Sequence, residues 1–190
     1  VGKAMVAKKQ FLTEEEFAQI DLPGRHDLVD GELWSTAPTR IPHGRFATRI
    51  IAHLARHVDG NGGGEVFSGE LGFILDSESR TILCPDVAFV EEARIPSDSE
   101  TGFFHGAPAL AIEVISEIER PREIQTKVAR YLQAGTTLVW CVYPSLQQVV
   151  VYHQDSPPRI LSIEDSLDAD PVIPGFEVPM RTLFRRATAT

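Results

Sequence analysis

Cysteine is scarce: the 190 residues hold two, Cys84 and Cys141, far apart and without a second pair. That excludes a disulfide framework and a cysteine-rich zinc site, and it fits a reducing, cytoplasmic compartment. No apolar run approaches the roughly 18 residues that a membrane helix needs, so no membrane association is expected. The first ten residues carry three lysines but no apolar stretch, which distinguishes them from a secretory signal. Basic charge is also in deficit: 18 Lys and Arg against 27 Asp and Glu leave a net −9. A chain with that balance is not coated in basic surface for a polyanion. What it does have is an ordinary globular composition, 43% hydrophobic and 24% charged, which argues against wholesale disorder. It also has 27 carboxylates from which a metal site can be built.

Along the chain, Thr13-Glu14-Glu15-Glu16-Phe17 reads as a helix start. Thr13 is at the N-cap, Glu16 at the capping-box position, and Pro23-Gly24 is a stop. His26 to Val29 and Glu32 to Trp34 flank Asp30-Gly31, a strong hairpin-turn signal. From His43 to Val58 the period becomes helical, with Phe46, Ile50, Leu54 and Val58 on one side, and Asn61-Gly62-Gly63-Gly64 ends it. Glu65 to Ser68, Gly72 to Leu75 and Thr81 to Val90 are β-like. Residues 91–108 read as a long polar loop. Ala109 to Ile115 is an apolar run of the kind found in a strand covered on both faces. Pro121 opens the next helix, whose apolar face is Ile124, Val128, Tyr131 and Leu132. Thr136 to Val142 and Val149 to Tyr152 are further strands, followed by a proline-rich tail of short strands and a short helix. The order indicates an α+β domain, a mixed β-sheet flanked by helices with an N-terminal helix and β-hairpin. One domain is expected over 11–186, with flexible tails at 1–10 and 187–190.

Two acids are out of place. Asp86 lies within Ile82-Leu83-Cys84-Pro85-Asp86-Val87-Ala88-Phe89-Val90, and Glu113 interrupts Ala109 to Ile115. A carboxylate in an apolar strand costs several kcal/mol unless it is paired, protonated or metal-bound. Either one alone is better explained by a structural ion pair or by a strand end emerging into solvent. Two in consecutive strands repel each other unless a cation holds them, and a hard ion such as Mg²⁺ takes a few oxygen ligands and keeps several waters.

Pro85-Asp86 followed by Ile112-Glu113-Val114-Ile115 resembles the PD-(D/E)XK nuclease pattern. The resemblance narrows with Leu28-Val29-Asp30-Gly31-Glu32-Leu33, His43-Gly44-Arg45, Glu113-Val114-Ile115-Ser116, Lys127 with Tyr131, Ala134-Gly135 and Val139-Trp140. In that order and spacing these segments, from about Phe11 to Leu183, resemble the Uma2 family of restriction-type endonucleases. The resemblance implies a restriction-endonuclease-like core binding Mg²⁺ or Mn²⁺, with Asp86, Glu113 and the backbone carbonyl of Val114 as ligands. It also implies a catalytic lysine. The strand position two residues after Glu113 is Ile115, so the lysine expected there is missing. Lys127 on the next helix stands in the Uma2-type position, four residues before Tyr131, which is expected near the substrate. Its stem lies beside the apolar face and can snorkel toward the site, although a surface lysine beside a core tyrosine would look the same. The resemblance makes Glu32 a third acid, reaching the ion directly or through water.

The reaction implied is metal-dependent phosphodiester hydrolysis, with DNA as the expected partner. Since the whole chain is acidic, substrate contact must be local. Between Arg40 and Asp59 stand four arginines and one acid. Arg45, Arg49 and Arg56 fall within about 40° of one another on the helix, and His43 lies at its start; an ordinary solvated helix face has the same pattern. Two other readings stay open. One is a catalytically inactive nuclease-fold module for nucleic-acid binding or assembly. The other is a metal-dependent phosphoesterase acting on smaller substrates. A homodimer is a further expectation, since cutting both strands of a duplex calls for two sites.

Overall fold

Local chemistry fixes the first elements of the chain, seen here in a computed structural model that describes residues 11–21, 24–36, 40–76, 78, 80–97 and 102–185. The expected tails at 1–10 and 187–190, and the stop at Pro23, lie outside the described residues. Helix α1 (Glu14–Ala18) carries the full capping box: Glu16 N–H donates to the Thr13 hydroxyl and Thr13 N–H donates to the Glu16 carboxylate. Strands β1 (Arg25–Val29) and β2 (Glu32–Thr36) form the hairpin, turned through Asp30 (φ 51°) and Gly31 (φ 77°). Two successive positive φ values are what a two-residue hairpin matched to strand twist requires. The register sets Asp27 opposite Trp34 and Val29 opposite Glu32.

Helix α2 (Ile41–Asn61) buries Phe46, Ile50, Leu54 and Val58, the residues its period selects, and ends at Gly62. There follow β3 (Gly64–Ser68), β4 (Phe73–Asp76), β5 (Thr81–Leu83), β6 (Val87–Glu91), β7 (Phe104–His105) and β8 (Leu110–Val114). The long loop expected over 91–108 therefore contains a 3-10 turn, Glu92–Arg94, and the short β7. Helix α3 (Pro121–Gln133) crosses from β8 to β9 (Leu138–Tyr143), which pair in parallel. Strands β10 (Gln148–His153), β11 (Ser156–Leu161), β12 (Ser166–Asp168), β13 (Glu177–Pro179) and helix α4 (Met180–Phe184) complete the chain. Pro157 and Pro158 sit on β11, at the edge of its sheet, where a missing N–H costs no internal ladder bond.

The strands form a six-stranded mixed sheet in the order β11-β10-β9-β8-β6-β3, a five-stranded sheet β2-β1-β5-β4-β7, and the pair β12-β13. The stretch from Thr81 to Val90, which reads as one strand, is two. Thr81–Leu83 belongs to the smaller sheet and Val87–Glu91 to the larger. Pro85 has no N–H to give a ladder, and the chain changes sheets across Cys84-Pro85-Asp86. Asp86 thus stands at a crossing point rather than in a strand interior.

The large sheet is covered on both faces. On one, Val87, Phe89, Ile112, Val114, Trp140 and Val142 pack with Phe46, Ile50 and Leu54 of α2 and with Met180 and Leu183 of α4. On the other, Ala111, Ile115, Val139 and Cys141 pack against Ile124, Val128 and Tyr131 of α3 and against Val29 of the hairpin. Two faces of burial explain why β8 and β9 read as continuous apolar runs.

The hairpin turn is a sensitive point. A Cβ on Gly31 would lie 3.0 Å from Phe11 Cδ1, at a φ of +77°. Gly31→Ala is expected to lower stability by about 1–2 kcal/mol, read as a lower urea midpoint with an unchanged denaturant slope.

Candidate active site

Alternation along β8 aims its residues in turn at α2 and at α3. Ile112 and Val114 face α2, while Ala111, Glu113 and Ile115 face α3. Glu113 is 4% exposed, and α3 supplies its partners from two residues one helical turn apart. Lys127 Nζ lies 3.3 and 3.2 Å from the two Glu113 oxygens, and the Tyr131 hydroxyl donates to Oε1 at 2.9 Å. Lys127 Nζ also lies 2.7 Å from Asp27 Oδ2 on β1, and Asp27 Oδ1 accepts from Cys84 N–H at 2.8 Å. The ammonium therefore bridges two carboxylates from different sheets. The snorkelling expected of Lys127 is present in direction, but its head ends in a buried ion pair instead of open solvent.

Asp86 is held from three sides. Val114 N–H donates to Oδ2 at 2.6 Å and His43 Nε2 lies 3.0 Å from the same oxygen. Arg25 makes a salt bridge to Oδ1 and donates to the Cys84 carbonyl. These residues border one cavity of about 750 Å³, lined by Asp86, Glu113, Val114 and Lys127 at its base. Arg40, Arg45 and Arg49 of the α2 side form one wall, and Glu117, Glu119 and Glu123 stand on the α3 side.

Electrostatics follow from this packing. Burial by itself would raise Asp86, but the His43 hydrogen bond and the Arg25 charge outweigh it and bring the carboxyl down to about 2. Burial raises Glu113 to about 7 despite the Lys127 charge, with Asp86 and Asp27 pushing the same way. Burial would lower Lys127, but Asp27 and Glu113 raise it above its ordinary value, so it stays an ammonium. Tyr131 is driven well above its ordinary value, first by burial and then by Glu113 and Asp27.

The residues expected at the site divide. Asp86, Glu113, Val114, Lys127 and His43 converge. Tyr131, expected to meet substrate, is fully buried and orients Glu113 from behind; the reason is its position one turn further into the α3–sheet interface. Glu32 sits beside Val29, two residues along β2 from Trp34, and is not on the cavity wall; the hairpin runs away from the site there. Of the arginines, Arg45 is exposed at the cavity. Arg49 borders it but donates to the carbonyls of Leu183 and Arg185, closing the C-terminal end of α4. Arg56 is three turns further along α2 and away from the cavity. Sequence reasoning passed over Arg25 and Asp27. The signal was there: in a period-2 strand Arg25, Asp27 and Val29 share a face, and Val29 belongs to the core.

Among the described residues, no three His, Cys, Asp or Glu side chains are grouped as a metal cage. The donor chemistry nonetheless fits a hydrated hard cation. Asp86, Glu113 and Val114 border the same cavity, the Val114 backbone meeting Asp86 through its N–H, and such ions are commonly held by one or two carboxylates with water completing the shell.

The two shifted carboxylates have opposite effects on stability. Asp86 contributes stability that is present above its ordinary value of 3.8 and lost as pH falls toward 2. Glu113 holds its proton up to about 7 when folded but to 4.5 when unfolded. Across that interval the unfolded chain binds fewer protons, so stability falls as pH rises. Thermal melts in chelator between pH 5 and 7 should decline by at most about 1.4 kcal/mol per pH unit from this group, and Glu113→Gln should flatten the decline.

No curated protein matches the chain. Solved structures that match include the crystal structure of a "putative nuclease belonging to DUF820" from Anabaena variabilis ATCC 29413. It is 18% identical, with a TM-score of 0.79, over 91% of this chain and 97% of that one. The likeness gives the same mixed α+β fold. The sequence pattern of the family described as "Uma2: Putative restriction endonuclease" matches residues 14–181, a span that includes every residue of the cavity base, and the chain belongs to that family.

Proposed function

We propose that this protein is a metal-dependent endonuclease that hydrolyses phosphodiester bonds of DNA, using Mg²⁺ or Mn²⁺. The observation that carries the reading is the convergence of Asp86 and Glu113, 27 positions apart in the chain, at the base of one cavity beside a lysine that keeps its proton. Membership of a nuclease family supports a nucleic-acid substrate. Asp86, Glu113 and the Val114 carbonyl would hold the ion. When bound, it supplies Lewis-acid polarisation of the phosphate and a water of lowered pKa.

The protein's own groups prepare that site. Lys127 offsets Glu113 and Asp27 together, so that three buried acids do not repel one another apart. Tyr131 fixes the rotamer of Glu113, and Val114 N–H and His43 fix that of Asp86. The basic α2 wall attracts the phosphate backbone, and Glu117, Glu119 and Glu123 repel it from the α3 side. The strand is thereby drawn along α2 toward Asp86. Arg45 is the arginine of the expected stripe that the fold leaves exposed at this wall. On duplex DNA a homodimer supplies the second active site.

One observation favours a second reading, an inactive binding module: each site carboxylate already has a cationic partner within the chain. Plasmid cleavage separates the two. Asp86→Asn and Glu113→Gln should each lower Mg²⁺- or Mn²⁺-dependent nicking of supercoiled plasmid by more than about 100-fold. A wild type that neither cleaves nor binds Mn²⁺ better than Asp86→Asn selects the inactive module. Arg45→Glu should raise KM several-fold and flatten the loss of activity with salt, whereas Arg56→Glu should do neither.

A further inference from the structure

Resting on that reading, one residue of the cavity stands where the ion's ligand would otherwise be open. Arg25 reaches Asp86 Oδ1 with Nη1 and the Cys84 carbonyl with Nη2. Its guanidinium is received by Gly69: a Cβ there would lie 2.9 Å from Arg25 Nη1 and 3.4 Å from Asp86 Cα. A side chain at residue 69 would displace the head, so glycine leaves the space that the guanidinium fills. Arg25 Nε is buried without a hydrogen-bond partner, an uncompensated polar group that any shift of the head can relieve. The Arg25 side chain is 25% exposed and the Asp86 side chain 5%, so the cation has a way out to the cavity while the carboxylate does not. Glu113 differs: its partner Lys127 is anchored from behind by Asp27 and lies deeper.

We propose that Arg25 is the exchangeable counter-cation of Asp86, occupying the carboxylate in the metal-free protein and competing with a divalent cation for it. Metal binding at this site is then an exchange, guanidinium out and metal in. The affinity of the site is weaker than its donors alone would give. Arg25 acts here as a positioning residue whose effect appears in metal affinity before it appears in turnover. Lys127, locked between two acids, takes no part in the exchange.

Calorimetric titration of Mn²⁺ into the full chain tests this. Arg25→Gln should bind Mn²⁺ at least tenfold more tightly than wild type. Gly69→Ala, which keeps the arginine but crowds its head, should bind several-fold more tightly. Arg25→Gln should also melt at lower temperature than wild type in chelator, with saturating Mn²⁺ closing the gap. If Arg25→Gln does not fold, Gly69→Ala alone decides, because its strain falls on the far end of a flexible side chain. Equal or weaker Mn²⁺ binding in the folded variants overturns the exchange while leaving the metal site intact. Absence of Mn²⁺ binding in wild type and variants alike overturns both the exchange and the metal-dependent reading on which it rests.

Discussion

Three carboxylates and two permanent cations share the buried space between the two sheets, and the rest of the site depends on their balance. Asp27, Asp86 and Glu113 are almost fully removed from water, and removing any one of them in isolation would cost several kcal/mol. Arg25 and Lys127 make the arrangement tenable, the first on Asp86 and the second shared between Asp27 and Glu113. With Glu113 protonated the five groups sum to zero. With Glu113 ionised they carry one negative charge, the sense in which a divalent cation is attracted. The positive charge is unevenly shared: Arg25 and the His43 hydrogen bond depress Asp86 against its burial, while Glu113, buried and beside two other acids, is raised despite Lys127.

The fold serves this balance through its crossing points. Asp86 follows the proline at which the chain leaves one sheet for the other, so its carboxylate reaches both Arg25 of the smaller sheet and Val114 of the larger. Glu113 is carried by a strand with helices on either side, and the alternation of that strand presents it to α3 instead of α2. Lys127 and Tyr131, one turn apart, then reach it together. A lysine on the strand itself, two residues after Glu113, would occupy the same face as Ile115, which here packs into the α3 core. Moving the cation to the helix lets that position remain apolar.

Much of this was legible in the residues. Helical period located α2 and α3, Asp30-Gly31 located the hairpin, and apolar runs located β8 and β9. Asp86 and Glu113 stood out because a charge in an apolar run demands a partner. What the sequence left undecided was who the partners are. Glu32 and Asp27 lie on the same face of the hairpin, two residue pairs apart along it, and only the docking of the hairpin against α3 selects Asp27. The arginine stripe of α2 is regular in sequence, yet the cavity opens at one end of the helix. Arg45 therefore faces it, Arg49 is drawn to the end of α4, and Arg56 is left outside.

The net charge of −9 was fixed by the chain alone, as were the two acids within apolar runs, the isoleucine two residues after Glu113 and the helix that carries Lys127. These are local facts: residue type, period and turn chemistry act over a few positions. The tertiary structure decided the pairing of charges, because β1 with Arg25 and Asp27, the crossing with Asp86, β8 with Glu113 and α3 with Lys127 are four separate segments that no short-range rule connects. Electrostatic energy in a low-dielectric interior depends on distances of a few ångströms between such groups, and those distances exist only once the two sheets and α3 have packed.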